Sequence, residues 1–304
     1  MKSMILGAGG MVGSALARRM PSAIAITRRD ADLRDPSQVM AIIHKHKPDA
    51  IYLAAAKVGG ILANEMKPVD FLYDNLMIQN NVMHSAAKVG VPKLLFLGSS
   101  CIYPRACPQP MKEGHLMTGQ LESTNKPYAM AKLAGMELAK AYSKQHGLHY
   151  FSVLPCNLYG QGDTYDAFNS HVIPALILKV LEAKASDEDF VEIWGTGNVR
   201  REFMHVDDLA DACIFLMECY NGVEPVNIGT GEEITISKLA LLIAHICNYK
   251  GQFMYDTNKP DGVERKLLDS SKIHAMGWKH SIGLEKGLRQ VISLQSNRNT
   301  KHGR

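Results

Sequence analysis

The stretch SMILGAGGMVGSALARR, Ser3 to Arg19, limits what this chain can fold into more than any other part of it. A short apolar run ends among glycines at positions 7, 10 and 13 and passes directly into residues with helical spacing. The first glycine lets the backbone turn tightly out of a strand, the second lets it approach a pyrophosphate, and the third lets the helix pack close. The N-terminus of that helix, with its unpaired N–H groups, then faces the anion. Such a unit predicts the opening of a parallel sheet with a dinucleotide lying across its strand ends.

The next 140 or so residues continue the rhythm that this opening demands. Apolar runs AIAI (23–26), AIYLAA (50–55), KLLFLGSS (93–100) and YFSVLP (150–155) read as buried strands. Helical stretches lie between them, and Gly90 and Gly147 stand where two of those helices should stop. The expected fold is therefore α/β: a Rossmann-like doubly wound parallel sheet with a smaller α/β substrate-binding lobe. The rhythm changes after Gly160, so residues 1–160 and 203–230 are assigned to the dinucleotide-binding domain. Residues 161–202 and 231–295 form the smaller lobe, and 296–304 a basic tail. Two lobes imply a cleft at the strand ends.

Composition narrows the class of partner. The chain of 304 residues carries a net charge of +4, with 46% hydrophobic and 21% charged residues. Three of its cations, Arg298, Lys301 and Arg304, sit in the closing RNTKHGR, which reads as a solvated, disordered tail. Without them the chain is close to neutral, which argues against a nucleic-acid-binding face. No signal-peptide pattern opens the sequence and no run approaches a membrane span, so a cytoplasmic protein is expected. The six cysteines form no C-x-x-C pair. Reduced thiols and no metal are expected, with Cys107, Cys213, Cys219 and Cys247 read as small buried hydrophobes.

Chemistry enters at three further places. The second strand ends in ITRRD, where Arg28 stands about 20 residues beyond the first glycine, the position of an acid that would bind a ribose hydroxyl. Arg28 and Arg29 would instead pair with a 2′-phosphate, favouring NADP(H) over NAD(H), while Asp30 could cap the following turn. In KPYAMAK, Tyr128 and Lys132 are four apart on one helical face, with Pro127 suited to the first turn. A neighbouring ammonium would lower the pKa of the phenol and could also hold a nicotinamide ribose. Finally, GSSCIYP places Cys101 directly after two serines at a strand end.

The succession GxxGxxG, LGSS and YAMAK resembles the extended short-chain dehydrogenase/reductases, particularly those acting on nucleotide sugars. The blocks LAAAKVGGILAN, KLLFLGSSCIYP, KPYAMAKLAG, NLYG, NSHVIPAL, WGTG with REFMHVDDLA, and KPDGVERKLLD narrow it. They are similar to the branch that epimerises GDP-4-keto-6-deoxy-D-mannose at C3 and C5 and reduces it at C4 with NADPH. The resemblance implies Ser99, Tyr128 and Lys132 as the hydride-transfer triad, with Ser99 chosen over Ser100 because it stands two residues before the cysteine. It implies Cys101 and His171 as an acid–base pair for the two inversions. A thiol near pKa ~8.5 and an imidazole near ~6.5 bracket neutral pH, so one can donate while the other accepts.

By the same resemblance, cofactor contacts fall on Gly7, Gly10, Met11, Val12, Gly13, Arg28, Leu97, Gly98, Ser99, Ser100, Lys132, Pro155, Cys156, Asn157, Leu158 and His171. Substrate contacts fall on Asn157, Lys179, Trp194, Arg201, Asp261 and Lys266. A homodimer is implied, with helices 70–89 and 127–146 supplying a four-helix interface. Two departures stand out. Gly9 replaces a basic residue that often helps hold the 2′-phosphate, which weakens the NADPH preference without reversing it. Lys179 stands where an arginine is also used, turning a bidentate contact into a point charge. A 4-epimerase or a plain keto-sugar reductase would share the glycine loop and Tyr128–Lys132 but would not need the Cys101/His171 pair. A non-catalytic NADP-binding regulator would commonly lack the tyrosine or lysine.

Overall fold

The computed structural model describes residues 1–166, 170–259 and 261–302. Six parallel strands form the main sheet: β1 (Ser3–Leu6), β2 (Ile24–Ile26), β3 (Ala50–Leu53), β4 (Lys93–Leu97), β5 (His149–Pro155) and β9 (Val226–Ile228), in the order β2-β1-β3-β4-β5-β9. The order reverses between β1 and β3, which is the switch point where a doubly wound sheet opens a crevice. Because both faces are covered, the strands are almost wholly apolar, and β3 (AIYL) is buried at every position.

The covering helices are α1 (Met11–Arg19), α2 (Pro36–His46), α4 (Pro68–Val89) and α5 (Lys126–His146), with the short α3 (Ile61–Met66) leading into α4. Asp35 caps α2 by accepting from the N–H groups of Ser37 and Gln38, and Pro36 begins the helix. Both α4 and α5 end on left-handed glycines, Gly90 and Gly147, as their sequence pattern predicts. Helix α7 (Val206–Cys219) completes the layer beside α1 and precedes β9.

A second sheet joins β6 (Asn157–Tyr159), β8 (Arg200–His205), β10 (Glu233–Thr235) and β12 (Arg265–Lys266). Strand β6 lies within the first 160 residues, yet it pairs in parallel with β8 rather than with the main sheet. Its partners, Phe203, Met204 and His205, lie in the segment assigned with residues 1–160. A small parallel pair, β7 (Phe190–Trp194) with β11 (Gln252–Asp256), and helices α6 (Val172–Ala185) and α8 (Ile236–Cys247) build the outer lobe around Ile177, Val180, Leu239 and Ile243.

Helices α9 (Ser271–Ala275) and α10 (Leu284–His302) close the chain. The expected disordered tail is corrected: α10 runs through it to His302, while Gly303 and Arg304 lie outside the described residues. So do Ala167, Phe168 and Asn169 of the QGDTYDAFNS loop, and Pro260. Cys219 is also corrected, since it is exposed at the end of α7, and Cys107 is only half-buried; Cys213 and Cys247 are buried as expected.

Candidate active site

All parallel strands deliver their C-terminal ends to one edge, where the glycine loop after β1 and Ser99 after β4 lie. Gly7 leaves β1 with a φ of +94°, and a Cβ on it would lie 2.6 Å from the Ala55 backbone. A Cβ on Gly13 would sit 2.1 Å from the Gly7 carbonyl oxygen, so only glycine lets α1 start this close to the strand. Gly10 caps α1 without a side-chain hydrogen bond, leaving the first N–H groups, next to Met11 and Val12, open to an anion. Arg28 is exposed and makes no hydrogen bond or ion pair among the described residues, as a cation kept for a phosphate would be. Asp30 does not cap the following turn. Its carboxylate accepts from Thr27 N–H at 2.8 Å and Thr27 Oγ1 at 2.7 Å, which closes the loop that displays Arg28 and Arg29. This glycine cradle and its unpaired cation suit a dinucleotide with a 2′-phosphate.

At the end of β4, Gly98 continues into Ser99, whose Oγ accepts the Cys101 N–H at 3.2 Å and so caps a single 3-10 turn, Ser100–Ile102. That turn sets Cys101 half-buried beside Tyr128, and the Ser99 hydroxyl hydrogen-bonds Tyr128. Lys132, one turn further along α5, is 2% exposed and donates to the Leu97 carbonyl at 2.6 Å, with its ammonium 5.9 Å from the Tyr128 ring centre.

The expected effect of that ammonium on the phenol is overturned. Burial, then the charge of Cys101, raises the Tyr128 pKa, and the Ser99 hydrogen bond only partly offsets them. Burial pushes Lys132 down to about 7. Desolvation dominates because the amine is buried, with the Leu97 carbonyl as its hydrogen-bond partner. A phenol held protonated is the form that can give a proton to a carbonyl oxygen.

Pro155, Cys156, Asn157 and Leu158 form the crossing from β5 to β6, with the Cys156 N–H bonded to the Ile228 carbonyl. Cys156 is buried and its thiol pKa is pushed well up by burial. The Asn157 side chain donates to the Glu202 carbonyl at 3.0 Å, spending one donor on the join between β6 and β8. His171 precedes α6; it retains solvent-exposed surface, yet loss of water around the ring lowers its imidazole pKa. No hydrogen bond ties it to Cys101 among the described residues.

Arg201 and Lys266 are register neighbours on β8 and β12 and so share a sheet face. Arg201 forms no ion pair among the described residues; burial lowers its pKa while Cys101 and Asp261 pull it back up. Asp261 has both oxygens engaged, by Thr196 N–H at 2.8 Å and Thr196 Oγ1 at 2.9 Å, and thereby fastens the WGTG turn. Lys179 donates to the Glu192 carbonyl and lies 5.6 Å from the Trp194 ring centre. A residue not singled out from the sequence, Lys259, lies 5.3 Å from the same ring. It opens the KPDGVERKLLD block, so a signal was present, but a cation in a polar loop reads as surface.

Residues 3–229 match the NAD dependent epimerase/dehydratase family. The chain is 48% identical over 295 residues to GDP-L-fucose synthase 1 of Arabidopsis thaliana, covering 95% of this chain and 91% of that one. It is 47% identical over 298 residues to the GDP-L-fucose synthase of Escherichia coli strain K12, covering 93% of each. Its fold superposes on a GDP-mannoheptose C4 reductase from Campylobacter jejuni, solved with NADP bound, with a TM-score of 0.86 and 33% identity over 97% of this chain and 98% of that one.

Proposed function

The chain belongs to the NAD dependent epimerase/dehydratase family, and from that membership we propose that it converts GDP-4-keto-6-deoxy-D-mannose to GDP-L-fucose. Two epimerisations, at C3 and C5, precede reduction at C4. The observation that carries this reading is Cys101, pinned by Ser99 in a single turn beside Tyr128. A ketone reductase needs one proton donor at the carbonyl and has no use for a second acid–base group there.

NADPH supplies the hydride. The glycine cradle would hold its pyrophosphate and Arg28 its 2′-phosphate, with Lys132 and Tyr128 serving the nicotinamide end. The 4-ketone acidifies the hydrogens on C3 and C5, because the charge left by proton loss spreads onto the carbonyl oxygen as an enolate. Inversion then requires a proton removed from one ring face and another returned to the opposite face. His171, whose lowered pKa keeps it neutral near pH 7, and Cys101 are assigned to this exchange. Once both centres are inverted, Tyr128, held protonated by burial, donates to the C4 oxygen as hydride arrives, and Ser99 orients that oxygen. Arg201 and Lys266 take the diphosphate, with Lys179, Trp194, Asn157 and Asp261 shaping the nucleotide side.

Exposed apolar residues on α4 and α5 support a homodimer, and a cytoplasmic location fits reduced thiols. Incubation with GDP-4-keto-6-deoxy-D-mannose and NADPH in deuterated water tests the reading. Cofactor oxidation should accompany deuterium at C3 and C5 of a GDP-fucose product. Reduction without that label makes the protein a plain keto-sugar reductase. Cys101→Ser should suppress labelling and leave NADPH affinity within about twofold, since the thiol is absent from the cofactor cradle.

A further inference from the structure

The block LAAAKVGGILAN has no part in the chemistry described above, yet its backbone is clamped by two buried asparagines. It leaves β3 beside Gly7 and runs to α3. Asn75, buried on α4, grips Lys57 from both sides: its Oδ1 accepts the Lys57 N–H at 2.8 Å and its Nδ2 donates to the Lys57 carbonyl at 3.0 Å. The Lys57 ammonium bonds Asp70 at 2.7 Å and faces Asp74 at 3.6 Å. On the other side of Val58, the buried Asn64 donates to the carbonyls of Gly59 at 3.0 Å and Gly60 at 2.9 Å.

This pinned loop bears on one ring. A Cβ at Gly59 would lie 3.0 Å from Phe71 Cζ and 3.1 Å from Ala63 Cβ, so the loop touches Phe71 with no room to spare. Phe71, 2% exposed, meets Tyr128 edge to face, with centroids 6.4 Å apart and planes at 81°. The polar partners of Tyr128 do not fix its lateral position. Ser99 holds the hydroxyl end, and the Lys132 ammonium is committed to Leu97.

We propose that Gly59 and Phe71 are positioning residues for Tyr128. The clamped loop seats Phe71, and Phe71 fixes the phenol where the C4 oxygen must receive its proton. This rests on the proposed function and deepens it, because the effect falls on reduction and not on the exchange at C3 and C5, which Cys101 and His171 perform. A misplacement of about 1 Å in a proton donor is enough to cost a reaction step about 100-fold.

The test separates the two steps in Gly59→Ala and Phe71→Leu. Reduction is followed as kcat for NADPH oxidation, and epimerisation as deuterium uptake at C3 and C5 with NADP+ in place of NADPH. Both variants are expected to lose about tenfold or more in kcat for reduction, with KM and deuterium uptake within about twofold of the parent. Gly59→Ala removes no core side chain, so it reads the effect even where Phe71→Leu weakens folding. Equal losses in both steps, or no loss of reduction in Gly59→Ala, overturn the proposal. Absence of deuterium uptake in the parent enzyme would instead overturn the proposed epimerase function and leave the reduction measurement standing.

Discussion

Lys132 is where a single residue's placement reverses the chemistry expected of its type. Its spacing from Tyr128 was legible in KPYAMAK, and the structure does put both on one face of α5. The direction of the pKa shift was not legible, because it depends on how much water surrounds the amine and what its three hydrogens meet. With an ordinary value of 10.5 and a folded value of about 7, Lys132 is mostly neutral in the folded protein between those limits and protonated in the unfolded one. The unfolded state then binds more protons, so this group makes stability rise with pH across that window. Above about pH 10 the buried tyrosines Tyr52, Tyr103, Tyr128, Tyr150 and Tyr159 work the other way, since burial holds their protons on in the folded state alone. Urea unfolding of the parent minus Lys132→Met should therefore show a stability difference that climbs from pH 7 to 9. Its slope is bounded by about 1.4 kcal/mol per pH unit, the limit for one proton. A flat difference would mean that Lys132 stays charged in its pocket.

At the scale of elements, the join between the sheets depends on Glu202 of β8, 0% exposed. Its carboxylate accepts the N–H of Gly231, beyond β9, at 2.8 Å and that of Leu268, beyond β12, at 3.0 Å. Its backbone carbonyl receives Asn157 of the β5–β6 crossing. One residue thus holds together the strand end of the main sheet, the second sheet and the segment that carries the expected cofactor contacts. Replacement by alanine strands the buried Leu268 N–H and loses the Gly231 contact, and Glu202→Ala is expected to cost about 2 kcal/mol by urea unfolding. A loss below about 0.5 kcal/mol would show that the join is held by strand pairing alone. Nothing in RREFMH marks Glu202, which reads as one more charge on a strand. Phe71 and Asn75 are equally silent, because an amphipathic helix offers many such positions and only the neighbour across the gap gives one of them a task.

At the scale of the whole molecule, an apolar face lies uncovered on α4 and α5. Val69 is 72% exposed, Tyr73 58% and Met130 47%, and with Leu72 they lie on the adjacent helices α4 and α5. Val69, Leu72 and Tyr73 are three and four apart, so they form one stripe, and the helices otherwise bury their apolar stripes against the sheet. In the proposed homodimer this face meets its copy. Tyr73→Arg places a cation in that contact and is expected to convert a dimer to a monomer in size-exclusion chromatography with light scattering at micromolar concentration. An unchanged dimer would move the interface elsewhere.

The sequence by itself determined the alternation of strands and helices, the glycine cradle, the cation at Arg28 and the Tyr128–Lys132 pair. These are local matters: side-chain period, turn sterics and spacing along one helix are properties of neighbouring residues. Tertiary structure decided that β6 leaves the main sheet, that α10 continues through the basic tail, and that Asp261 and Lys179 spend their polar atoms inside the protein. It also decided that desolvation outweighs charge at Tyr128 and Lys132. The reversal at Tyr128 and Lys132 depends on what lies across a gap from residues distant in the chain, where water is excluded and a hydrogen bond has only one partner within reach.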